Sequence, residues 1–112
     1  MKINSVIKEA NDVADKYKLQ LVEIDNTENI ISMKLVIDKE LFIQIYGNAK
    51  KDKLNFTLVF KRKRLYGYDS EGGKYHCHPF NNPDDHLFTN EKKSIQEFVK
   101  ESMRFLEDED IL

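Results

Sequence analysis

The sequence predicts an α+β domain: an antiparallel meander sheet of five to six strands, with an N-terminal and a C-terminal helix packed on it. Three observations carry this expectation. Apolar residues recur at helical spacing at both ends of the chain, they alternate with polar residues through the middle, and short polar connections join the alternating segments. Helices flanking a run of consecutive strands are the pattern of helices laid on one sheet face. The 112 residues suit one domain, 1–112, able to bury about 65% of its unfolded surface. No repeat or linker interrupts them.

Ile3, Val6, Ile7, Ala10, Val13, Ala14 and Tyr17 mark one face of an amphipathic first helix, with Lys8, Glu9, Asp12, Asp15 and Lys16 on its wet side. Leu19–Ile24 reads as a strand and residues 25–29 as a polar turn. Ile31, Met33, Leu35 and Ile37 alternate, as do Leu41, Ile43 and Ile45, with Asp38-Lys39-Glu40 between them. Leu54, Phe56, Leu58 and Phe60 share one face of a long strand that the alternation carries on into Lys61 and Lys63. In that reading Arg62 and Arg64 keep the parity of Phe60. Leu65–Asp69 continues as extended chain, Ser70–Lys74 is a Gly-rich turn, and Tyr75–His78 is a short strand. Pro79 and Pro83 make 79–90 a loop. Ser94 and Glu97 form a capping-box signature ahead of Ile95, Phe98, Val99, Ser102, Phe105 and Leu106, which keep helical spacing.

With 40% hydrophobic and 34% charged residues, the composition is that of a soluble globular domain. No apolar run reaches the ~20 residues of a membrane span, and Met1–Val6 lacks the hydrophobic core of a signal peptide. Cys77, without a partner for a disulfide, agrees with a reducing compartment. A cytoplasmic protein with no membrane partner is expected. The net charge of −2 conceals an asymmetry: residues 50–64 hold seven basic groups against Asp52 alone, whereas residues 65–112 hold five basic and eleven acidic ones.

All three histidines fall in Tyr75-His76-Cys77-His78-Pro79-Phe80-Asn81-Asn82-Pro83-Asp84-Asp85-His86, together with the only cysteine and both prolines. On an extended segment His76 and His78 share a face, their Cα atoms ~6.7 Å apart, and Cys77 faces away. Paired imidazoles can act as base and acid in phosphoryl transfer from an RNA 2′-hydroxyl, with a cation beside the developing charge. His76, His78 and His86 are therefore the candidate catalytic residues of a metal-independent ribonuclease. No metal or cofactor is required by that reading; zinc held by the same three histidines is the alternative. A purely structural role, holding the 79–90 loop to the sheet, is the bland alternative. Lys61, Arg62, Lys63 and Arg64, with Tyr66 and Tyr68 close by, are the candidate RNA-binding residues, the cations for phosphates and the rings for unpaired bases. The same charges also serve as solvated edge residues that resist aggregation.

Tyr68-Asp69, Gly72-Gly73, His76-Cys77-His78-Pro79-Phe80, Pro83 and His86, followed by Ser94-Ile95 and Phe98, form an order that resembles the small TumE-type proteins of prokaryotic toxin–antitoxin loci. The resemblance covers roughly residues 40–106 and is strongest from His76 to His86. It implies a small cytoplasmic toxin, a ribonuclease working beside a cognate antitoxin. A Trp-Asp-Asn-Ala-Pro segment associated with bacterial members is absent here, and the chain has no tryptophan. The resemblance itself assigns no catalytic residue. A non-catalytic binding module, antitoxin-like or a nucleic-acid-binding accessory subunit, is the competing class, and a homodimer is compatible with either.

Overall fold

The computed structural model describes residues 1–80 and 82–112; the expected 79–90 loop includes Asn81, which lies outside them. Helix α1 (Ile3–Tyr17) leads into seven strands, β1 (Gln20–Asn26), β2 (Ile30–Asp38), β3 (Leu41–Asn48), β4 (Lys53–Phe60), β5 (Lys63–Glu71), β6 (Lys74–His78) and β7 (Leu87–Thr89), and helix α2 (Ile95–Asp108) ends the fold. The strands pair in chain order as one antiparallel meander. The architecture is the expected α+β one, with seven strands in place of five or six. The extra strand is β7, inside the segment expected to be loop.

Alternation in β2, β3 and β4 sends Met33, Ile43, Ile45, Phe56 and Leu58 to one face, where they are buried against Ala10 and Val13 of α1 and Phe98 and Val99 of α2. The α2 start is the expected capping box: Ser94 Oγ accepts from the Glu97 amide at 3.1 Å, and Glu97 accepts from the Ser94 amide at 3.1 Å. Among the described residues no helix is long and apolar enough to cross a membrane. The opposite sheet face carries no helix, and all three histidines lie on that side of β6 or in the loop that follows it.

Two local features at β4–β5 depart from the expected long strand. Lys61 and Arg62 form a two-residue hairpin loop with φ of 50° and 66°, both positive as a type I′ turn requires. The pairing then shifts, since Leu58 faces Tyr66 whereas Val59 faces Arg64, which leaves Leu65 as the extra residue of a bulge. The bulge reverses parity. Arg64 joins Val59 on the open face, and Tyr66 and Tyr68 turn under α2. Asn-Gly is the favoured pair for such a turn, so Lys61→Asn/Arg62→Gly is expected to raise stability by about 1 kcal/mol. Urea unfolding measures it, and an unchanged midpoint would mean that the two positive φ values carry no strain.

Candidate metal centre

The Gly72-Gly73 turn sets the register that builds the site. Glu71 pairs with Lys74, so Asp69 falls opposite His76 and Gly67 opposite His78. Cross-strand partners share a face. Asp69, His76 and His78 therefore stand together on the open face, and Cys77, paired with Tyr68, stands on the other. Gly67 is what lets His78 lie flat: a β-carbon there would come within 3.3 Å of the His78 Cβ and Cδ2 and 3.4 Å of the Arg64 Cδ. Arg64 and His78 thus close over the same bare stretch of backbone.

His78 is only 3% exposed, and both of its ring nitrogens are engaged. Nδ1 lies 3.0 Å from the Pro83 carbonyl oxygen, and Nε2 lies 3.0 Å from Asp69 Oδ2. The ring ties the loop to the sheet, as the structural reading of the cluster expected. It is a fixed group, with no nitrogen free to trade a proton with a substrate. His86 is exposed and brings its ring to 4.4 Å from that of His78 and 5.3 Å from that of His76. His76 is half-buried, with Phe88 standing edge-on to it at 4.5 Å.

Among the described residues, two buried polar atoms here have no hydrogen-bond partner: His76 Nε2 and Asn55 Oδ1. Asn55 pairs with Asp69 from the β4 side, so both unsatisfied groups flank that carboxylate in register. Buried polar atoms are rarely left unpaired. Among the described residues one group of potential ligands converges: Asp69, His78 and His86 place one ligand atom each within 4.8 Å of one another.

The remaining expected site residues divide. Arg62, Lys63 and Arg64 line a cleft of about 540 Å³ with Thr57, Val59, Pro83 and Asp84. Pro83 is the residue whose carbonyl holds His78, so the cleft adjoins the histidines. Lys61 lies outside the cleft lining and rests over the Phe60 ring, 5.1 Å from its centroid. Tyr66 and Tyr68, at 4% exposure each, are core residues. Tyr66 donates to Glu101 at 2.7 Å, and Lys93 bonds both of them. Burial and the Glu101 carboxylate hold the Tyr66 phenol far above its ordinary range. Neither tyrosine ring can stack on a base, which corrects that expectation. Burial pushes the Cys77 thiol up as well, which agrees with an inert side chain.

The reading from sequence missed Asp69, Asn55 and Phe88. The first was within reach, because a two-residue hairpin at Gly72-Gly73 implies the 69–76 and 67–78 pairs. Phe88, exposed at 78% on the histidine face, had no such signal. Comparison with family models, curated proteins and solved structures finds no match to this chain, so the TumE-type likeness rests on its quoted residues alone.

Proposed function

We propose that Asp69, His78 and His86 form a divalent-metal centre that activates water for hydrolysis. One observation carries the reading. The Pro83 carbonyl can only accept a hydrogen bond, so in a neutral His78 the proton sits on Nδ1. The Nε2 lone pair then points at a carboxylate oxygen 3.0 Å away. Two acceptors in contact repel, and a cation between them, a proton or a metal ion, removes the conflict. His86 supplies a further ligand atom at the same place. A histidine whose second nitrogen donates to a backbone carbonyl is the usual arrangement around bound metals.

Two imidazoles and one carboxylate suit zinc or iron(II) and leave coordination positions for water. A bound divalent ion supplies Lewis acidity and a water acidic enough to yield hydroxide near neutral pH. The chain's own contributions are separate. Pro83 fixes the His78 tautomer, Gly67 admits its ring, and Asn55 and His76 offer buried polar atoms that have no partner among the described residues. The toxin role implied by the TumE-type resemblance, with a cognate antitoxin, is compatible with a hydrolytic centre.

A metal-free acid–base pair is the second reading, and the geometry favours His76 with His86 for it, since His78 is committed to its two partners. Chelation separates the two. Protein stripped with EDTA and titrated with cobalt(II) should show ligand-field absorption saturating at about one equivalent. Asp69→Asn and His86→Ala should each weaken cobalt binding by at least ~10-fold. Wild-type protein that binds no cobalt would leave a proton between His78 and Asp69 and end the metal reading. RNA cleavage that survives EDTA would support the metal-free pair.

A further inference from the structure

We infer that the open face binds single-stranded nucleic acid, with a phosphate in the β4–β5 cleft and an unpaired base on Phe88. The inference names a substrate class for the proposed metal centre, and the binding it describes needs no metal. Three features of the face support it. The cleft beside Pro83 holds Arg62, Lys63 and Arg64 against Asp84 alone, an excess of positive charge in a concave space of about 540 Å³. Guanidinium groups bind phosphate oxygens through paired N–H donors. The Arg64 and His78 side chains both approach the bare Gly67 position, so a phosphate bound to Arg64 lies near the ligand cluster.

On the far side of the cluster, Phe88 is 78% exposed and its ring is braced edge-on by His76. A ring this accessible, fixed in place by a neighbouring side chain, offers a flat face on which an unpaired base can stack. Arg64, His78, His76 and Phe88 follow one another across β5, β6 and β7 on one face. A strand lying across them places its backbone on the cations, a phosphodiester beside Asp69 and His86, and a base on Phe88. Duplex nucleic acid keeps its bases stacked inside and cannot use the ring.

Fluorescence anisotropy of a labelled single-stranded oligonucleotide, as RNA and as DNA, with the full chain in EDTA tests this directly. Both Arg62→Ala/Arg64→Ala and Phe88→Ala alter exposed side chains, and circular dichroism checks that they fold. The arginine double variant should bind about tenfold more weakly, and its salt slope should fall by about 0.7 for each lost phosphate contact. Phe88→Ala should also lose about tenfold on single strands, with the salt slope unchanged and no effect on a duplex. Comparison of the RNA and DNA arms identifies the source of the strand. Affinity that neither variant alters overturns the proposal. So does displacement by inorganic phosphate as effective as by oligonucleotide, which would mark a site for free phosphate. Cobalt binding by the same protein without oligonucleotide binding overturns it and leaves the metal centre standing.

Discussion

Phe98→Ala is expected to remove about 3–5 kcal/mol of stability, the largest loss from any one residue of this core. Phe98 is fully buried on α2. Its ring lies 5.4 Å from that of Phe56 on β4 and stacks on Tyr66 at 4.8 Å with an interplanar angle of 2°. Tyr66 in turn stacks with Phe80 at 4.0 Å, and Phe80 with Phe105 at 3.7 Å. Truncation takes away the ring that joins helix, sheet and loop, and leaves a cavity that a seven-stranded sheet cannot close. Domains of this size hold only about 5–15 kcal/mol in all, so the variant should unfold at markedly lower urea concentration with an unchanged slope. Phe80 follows His78 by two residues, so the centre should loosen with the core and bind cobalt more weakly. A loss below about 1 kcal/mol would mean that the aromatic stack is not what seats α2.

The parts of the fold that were legible in the sequence are those governed by simple periods. Helix α1 spans Ile3–Tyr17 as its apolar spacing requires, β2 to β4 bury the alternating residues, and the Ser94–Glu97 cap starts α2. Misreadings gather at β4–β5, where the turn residues are lysine and arginine. Neither announces a turn, because a positive φ is a conformation that glycine and asparagine favour. A bulge is less visible still: Leu65 differs in no local property from a paired strand residue, yet it reverses the facing of everything next to it. It leaves Arg64 on the histidine face and the tyrosines on the core face, whereas unbroken alternation puts Arg64 and the tyrosines on the same face. Strand β7 is three residues long, and it forms because β6 already offers an edge, a tertiary cause that local propensity does not report. The histidine cluster was legible as a grouping, and the structure sets the His86 ring beside those of His76 and His78. Its third member by geometry, Asp69, lies seven residues before His76 and comes to it only through the Gly72-Gly73 hairpin.

His78→Ala and His86→Ala are expected to fail in different ways, and the difference separates anchoring from ligation. In protein stripped of metal, His78→Ala should lose about 2–4 kcal/mol. It empties a buried position, frees the Pro83 carbonyl that held the loop, and strips Asp69 of a charge-assisted hydrogen bond. His86 is exposed, so His86→Ala should stay within about 0.5 kcal/mol of the parent. Adding zinc at a hundredfold excess over its dissociation constant should stabilise the parent by about 2.7 kcal/mol. At that concentration both variants should gain much less, because each lacks a ligand. Thermal unfolding with and without zinc reads all of these quantities. An unaltered zinc response in His86→Ala would remove that residue from the centre, and a parent indifferent to zinc would leave His78 as a loop anchor that binds Asp69 through a proton.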